Sequence, residues 1–245
     1  MMKIAVTGAT GRLGTPLVEI LTEHGHEVVE ISRAKGVDVI TSEGLAEALA
    51  GAEVIIDAAT GPSPDYESAS AFFTTAARNL QAHGTDAKRI VLISIIGVDR
   101  FTGGYNRAKF EQERVHLAGS AEVKILRAAQ FHEFVGELLA WGTQNGTGHV
   151  WEMRTQLVAA RTVAEAAAAL VTGDAPEITE VGGPREESLV EAARLLAAKR
   201  GAPASVEGVS DPSDPDSARY KDGAVLPGPG ATLGGPTFEE WLAAS

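Results

Sequence analysis

The run Ala5-Val6-Thr7-Gly8-Ala9-Thr10-Gly11-Arg12-Leu13-Gly14 decides how the rest of the chain is read. Ile4, Ala5 and Val6 form a short apolar stretch of strand type that ends at glycine. From Arg12 onward the period changes, and Leu13, Leu17, Val18, Ile20 and Leu21 recur at helical spacing. A buried strand therefore turns sharply into an amphipathic helix, with glycines 8, 11 and 14 in the turn. Such a turn suits a phosphate. The first N–H groups of a helix have no partner within it, and the helix dipole favours an anion there. Glycine lets the backbone approach a pyrophosphate that a Cβ would hold off. The spacing is one position wider at the front than G-x-G-x-x-G.

Composition narrows the classes. A length of 245 residues fits one α/β domain, expected as a cofactor-binding core over about 1–145 and a small lobe with a tail over about 146–245. There is no cysteine, which excludes disulfides, thiolate metal sites and a cysteine nucleophile. The 33 acidic and 21 basic residues give a net charge of −12, which opposes nucleic-acid binding. No apolar run is long enough to cross a membrane, and only Lys3 precedes the first strand, so neither a membrane segment nor a secretory leader is expected. A cytoplasmic protein with a small-molecule substrate, monomeric or homodimeric, is the expectation.

Outward from the glycine turn, strand and helix patterns alternate. Val28, Val29 and Ile31 form a second strand that ends at Ser32-Arg33. Folds of this type read the adenosine ribose there. Glu30 stands where an acid would hold a free 2′-hydroxyl, whereas Arg33 at the strand's end offers a planar fork of donors to a 2′-phosphate. A third strand spans Val54-Ile55-Ile56-Asp57, with Asp57 read as structural. Gly61-Pro62-Ser63-Pro64 breaks the chain, and a long helix follows from Tyr66 to His83, with Phe72, Phe73, Ala76 and Leu80 on its buried face. Arg89-Ile90-Val91-Leu92-Ile93-Ser94 reads as a strand buried on both faces, placing Ser94 at the sheet's carboxyl end, where ligands bind. Tyr105 and Lys109 follow as an i,i+4 pair on one helical face. Carbonyl reduction needs a hydride and a proton for the developing alkoxide. A tyrosine titrates near 10, so an adjacent ammonium is expected to lower Tyr105 toward the working range, with Ser94 holding the substrate oxygen.

The glycine stretch resembles the T-G-A-T-G-x-x-G opening of the atypical short-chain dehydrogenase/reductases, and within them the NmrA-like NAD(P)H-binding branch. The resemblance covers roughly the first two thirds of the chain. It implies a Rossmann-like, doubly wound, mostly parallel sheet with a small C-terminal substrate lobe. It also implies that Gly8, Thr10, Gly11, Arg12, Leu13 and Gly14 hold the pyrophosphate. Ser32 and Arg33 would select NADPH, Asp38 and Val39 would lie against the adenine, and Ala58, Ala59 and Thr60 would line the cofactor. Tyr105, Lys109 and Ser94 match the Y-x-x-x-K and serine of the family, and Ala128 stands at the junction beside the nicotinamide. Where many relatives carry two serines this chain has Ser94-Ile95, so the substrate-oxygen role rests on Ser94 alone.

The reading leads to an NADPH-dependent oxidoreductase acting on a carbonyl or activated alkene. A non-catalytic NADP(H)-sensing regulator and a nucleotide-sugar epimerase or dehydratase stay open beside it. His132 is read as packing or capping rather than catalytic, and no spacing among His132, Glu133 and His149 matches a metal motif. Ile178-Thr179-Glu180-Val181 and the helix after Glu187 are assigned to the lobe. The Gly/Pro/Asp/Ser-rich tract 201–236 is read as either an ordered lid or a mobile loop.

Overall fold

The computed structural model describes residues 1–61 and 63–245; Pro62, inside the expected chain break, lies outside the described residues. The first half alternates strand and helix: β1 (Lys3–Thr7), α1 (Gly14–Glu23), β2 (Glu27–Ile31), α2 (Leu45–Leu49), β3 (Val54–Asp57), α3 (Tyr66–His83), β4 (Arg89–Ile95), α4 (Gly104–Leu117) and β5 (Glu122–Ala128). The second half is more broken. It runs α5 (Phe134–Gly142), β6 (Thr143–Gln144), β7 (Thr147–Trp151), β8 (Arg154–Thr155), α6 (Ala160–Ala169), β9 (Ile178–Gly182) and β10 (Glu187–Ser188). It ends with α7 (Leu189–Arg200), β11 (Ser205–Val209), α8 (Ser217–Lys221), β12 (Thr232–Leu233) and α9 (Phe238–Ala244).

Seven strands make one parallel sheet in the order β2-β1-β3-β4-β5-β9-β12. Successive side chains of a strand face opposite sides, and both sides are covered here. Ile4 and Val6 pack with Leu17 and Leu21 of α1 and Val163 and Ala167 of α6. Ala5, between them in sequence, faces Leu45 and Leu49 of α2 and Leu80 of α3. The order reverses between β1 and β3, which opens a crevice at their carboxyl ends. The glycine turn sits there.

Residue 145, near which the lobe is expected to begin, falls between β6 and β7. After it, α6 returns to pack on α1, and β9 and β12 extend the central sheet. Ile178–Gly182 therefore belongs to the body, because its register continues β5 through Ile125↔Ile178 to Ala128↔Val181. The lobe is a second core of Val135, Leu138 and Leu139 (α5), Val150 (β7), Leu189 and Leu196 (α7), Val206 (β11) and Phe238 (α9). Its small sheet has the order β11-β7-β6. The 201–236 tract is ordered: Val225 is fully buried, and the Asp216 carboxylate accepts the N–H groups of Thr102 and Gly103 at 2.8 and 2.9 Å. Among the described residues no helix is long and apolar enough to cross a membrane.

Candidate functional site

The glycine turn is built from its own backbone. Gly8 has a φ of +65°, and a Cβ there would stand 2.7 Å from the Ala58 carbonyl oxygen at the end of β3. A Cβ on Gly14 would run into the Gly8 carbonyl. Both positions thus require glycine for the turn to close against β3. Helix α1 begins at Gly14 rather than at Arg12. The N–H groups of Arg12 and Leu13 make no hydrogen bond among the described residues, which leaves donors facing the crevice. Thr10, Gly11 and Arg12 are exposed, while Leu13 is buried beneath them.

The end of β2 carries the residues expected at a ribose. Ser32 Oγ is buried without a partner, an orphaned polar group that a ligand hydroxyl or phosphate would satisfy. Arg33 is exposed and makes no ion pair with any described residue. Glu30, the competing acid, pairs with Lys35 at 3.2 Å. Asp38 holds a turn through the N–H of Ile40 at 2.7 Å, and the carbonyls of Val39 and Ile40 accept from Asn79 on α3. Ala58 and Ala59 follow β3 beside Gly8, Thr60 is exposed, and Ala128 is buried at the end of β5. The unpartnered donors, the glycine cradle and the orphaned hydroxyl together fit a dinucleotide.

Tyr105 and Lys109 share helix α4, but their environments differ. The half-buried Tyr105 ring meets Phe73 edge-on at 5.3 Å. Burial, and then the Glu137 carboxylate, push its hydroxyl up to about 12. Glu137 lies on α5, and its Oε1 accepts from Arg12 Nη2 at 2.7 Å. Lys109 is buried. Its ammonium donates to the Ile93 carbonyl at 2.7 Å and to Gln112 Oε1 at 2.5 Å, and stands over the Phe73 ring. Burial pulls it down to about 8, against the opposing pull of Asp57 and Glu113. The expected lowering of Tyr105 by Lys109 is therefore not what this geometry produces: the charge that bears on the phenol is negative.

Ser94 also departs from expectation. It is 2% exposed, and its hydroxyl donates to Glu113 Oε1 at 2.6 Å. Glu113 in turn receives Arg127 in a bidentate pair at 3.0 and 2.8 Å. With its one proton committed, Ser94 joins α4 to β4 and β5 instead of facing the crevice. His132 is equally occupied. Its Nε2 donates to the Pro236 carbonyl at 3.1 Å, its ring packs against both Phe238 and Trp241, and burial lowers it to about 4. It anchors α9. No group of His, Asp or Glu able to hold a metal occurs among the described residues.

Four residues of this region escaped the sequence reading: Glu137, Gln112, Glu113 and His116. Three of them carried a signal, since Gln112, Glu113 and His116 follow Lys109 at +3, +4 and +7, the spacing of one helical face. Nothing in the sequence joined Glu137 to Arg12, 125 positions away.

No protein-family model matches the chain, and no curated protein sequence matches it. Solved structures do. A dTDP-4-dehydrorhamnose reductase from Bacillus anthracis in complex with NADP is 18% identical, with 99% of this chain and 98% of that one covered and a TM-score of 0.74. An NADPH-dependent quinone oxidoreductase from Escherichia coli is 17% identical, with 98% of both chains covered and a TM-score of 0.67. An NAD-dependent NDP-hexosamine 5,6-dehydratase involved in tunicamycin biosynthesis is 19% identical, with 98% of both chains covered and a TM-score of 0.67. This chain has the fold of those NAD- and NADP-dependent enzymes along nearly its whole length.

Proposed function

We propose that the protein is an NADPH-dependent oxidoreductase that reduces a carbonyl or activated alkene of a small organic molecule. The observation that carries the reading is the Arg12–Glu137 pair at 2.7 Å. Arg12 belongs to the glycine turn, and Glu137 is the charge that acts on the Tyr105 hydroxyl, so nucleotide cradle and tyrosine share one crevice. NADPH, when bound, supplies the hydride. Gly8 and the N–H groups after it hold the pyrophosphate, and Ser32 and Arg33 take the 2′-phosphate. Tyr105 stays protonated through neutral pH and gives its hydroxyl proton to the developing alkoxide. Lys109 keeps a positive charge at the end of β4. Ser94 is assigned to holding α4 in place, with no contact to substrate.

Among the fold neighbours are enzymes named for NADP, NADPH and NAD and for quinone and sugar-nucleotide chemistry, which supports small-molecule redox chemistry and leaves the nucleotide to be decided by Arg33. A second reading, a nucleotide-sensing protein without turnover, is favoured by one observation, the withdrawal of the Ser94 hydroxyl to Glu113.

Calorimetric titration with NADPH, NADP⁺, NADH and NAD⁺ tests the cofactor. The phosphorylated pair binds more tightly, and Arg33→Ala weakens that pair by about tenfold or more while sparing NADH. Equal binding of all four would remove Arg33 from the site. With a small quinone or carbonyl compound as oxidant, Tyr105→Phe lowers kcat by about 10²–10⁴ without changing NADPH affinity. Undiminished turnover in that variant defeats the mechanism, and wild-type binding without turnover of any such compound selects the sensor.

A further inference from the structure

We propose that Gln112 is the positioning residue of Lys109, and that it works by coupling the ammonium to the Asp57 carboxylate at the β1/β3 crevice. The inference rests on the role given to Lys109 above.

Gln112 is 1% exposed and bonded at both ends of its amide. Its Oε1 accepts from Lys109 Nζ at 2.5 Å, and its Nε2 donates to Asp57 Oδ2 at 2.8 Å. An ammonium has only donors and an ionised carboxylate only acceptors, so the amide has one orientation that satisfies both. A primary amide offers an acceptor to one side and a donor to the other without carrying a charge of its own. Glutamate would face Asp57 with a like charge, and leucine would leave both charges unmatched.

Asp57 is itself fixed from three further directions. Thr7 Oγ1 donates to its Oδ1 at 2.8 Å, His116 Nε2 lies 3.0 Å from Oδ2, and the Ala59 N–H reaches Oδ1 at 3.4 Å. The Thr7 hydroxyl also accepts the N–H groups of Ala58 and Ala59, both at 3.1 Å. Those two residues abut Gly8. A buried chain of hydrogen bonds thus runs from the wall of the nucleotide crevice through Thr7, Asp57 and Gln112 to Lys109. The charges that bear on the ammonium are Asp57 from β3 and Glu113 from α4, and His116, also from α4, faces Asp57. The Ile93 carbonyl and the Phe73 ring complete its surroundings. The place and charge of Lys109 are set across the sheet by β3 as well as by its own helix.

The test is the titration of the Lys109 side chain, followed by NMR of ¹³C-lysine-labelled, nucleotide-free protein and assigned with Lys109→Arg. The wild-type midpoint is expected near 8. Gln112→Leu removes the acceptor and lowers proton affinity about tenfold, one pH unit. Gln112→Glu has nearly the same shape but adds a carboxylate, and moves the midpoint the other way. Opposite shifts in the two variants support the proposal, and Gln112→Leu is the deciding arm, because a glutamine that merely packs would leave the midpoint where it is when replaced by leucine, whereas a new carboxylate raises it in any case. Should Gln112→Leu fail to fold, Gln112→Met, which keeps the length of the side chain and removes its amide, is read in its place, with the same downward shift expected. Unchanged midpoints, or shifts of the same sign, overturn it. The titration needs no turnover, so it is separable from the catalytic reading: full activity in Tyr105→Phe defeats that reading and leaves these midpoints as they are.

Discussion

Helices α3 and α4 lie side by side on the same face of the sheet and bury opposite chemistries. Helix α3 turns Ala69, Phe73, Ala76, Ala77 and Leu80 inward, an apolar stripe at the spacing that a surface helix ordinarily shows. Helix α4 buries Lys109, Gln112, Glu113 and His116 together with Asn106, and Ala108 is the one apolar side chain among its buried residues. Apolar burial gains free energy wherever it happens. A buried charge gains only where every partner is in place, and otherwise it costs. The polar stripe is divided between two carboxylate centres, Asp57 reached through Gln112 and His116, and Glu113 joined to Ser94 and Arg127. Helix α4 gives up easy burial for two hydrogen-bonded networks, one of which leaves the buried Nδ1 of His116 without a partner among the described residues, and under the proposed function it carries the proton donor Tyr105.

The largest effect should come from breaking the second network. Glu113→Ala leaves the Arg127 guanidinium, which is 7% exposed, with Asp99 at 3.0 Å as its remaining carboxylate and takes the acceptor from the Ser94 hydroxyl; it is expected to cost about 3–5 kcal/mol, measured as a lower urea midpoint at unchanged slope. Leu80→Ala in α3 costs about 2–5 kcal/mol by leaving a cavity. The two helices part when a second substitution is added. Arg127→Met on top of Glu113→Leu recovers part of the loss, because the buried guanidinium left with Asp99 alone is gone, whereas Ala76→Gly on top of Leu80→Ala only deepens it.

A smaller effect distinguishes how the two helices begin. Asp65 caps α3 from the adjacent position, accepting the Ser68 N–H at 2.9 Å. Helix α4 has no side-chain cap of its own, and the N–H groups before it reach Asp216, far along the chain. Asp216 also holds Arg219 at 2.8 Å. Asp216→Ala should cost about 1.5–3 kcal/mol, the range for hydrogen bonds to a charged group, and should speed proteolysis within 201–236. Burial works to raise the Asp216 carboxyl, but the N–H donors of Thr102 and Gly103 outweigh it and hold it below the usual value. Its contribution is therefore complete above the unfolded value of about 4 and disappears as pH falls through the lowered folded one. The acid limb of the urea midpoint should flatten in Asp216→Asn. The smallest change is Asp65→Ala, which lowers the urea midpoint slightly by removing the cap, with no effect on 201–236.

The same contrast explains what was legible in advance. The apolar helix was read from Tyr66 to His83, the bounds it has, because its period and its breakers are local. The glycine turn was legible because the strand, the turn and the helix are contiguous. Tyr105 and Lys109 were found on one helix by their spacing. Their electrostatics were not, since the carboxylate acting on Tyr105 comes from α5, and Lys109 bonds a carbonyl of β4 and, through Gln112 of its own helix, a carboxylate of β3. Ser94 was placed correctly at the end of β4 and given the wrong neighbour, because Glu113 approaches it from α4.

By itself the sequence determined the alternation of strand and helix, the phosphate-type turn at its start, the double covering of a parallel sheet and the exclusion of thiol chemistry. These follow from periodicity and residue type, which act over a few residues. Tertiary structure decided that β9 and β12 belong to the central sheet, that 201–236 is strapped to the start of α4 and that Arg12 meets Glu137. It also decided that the charges beneath the crevice are shared out among Asp57, Gln112, Glu113 and Arg127. Each of these depends on a hydrogen bond, ion pair or strand register between segments far apart in sequence, and such a contact has no period along the chain to betray it.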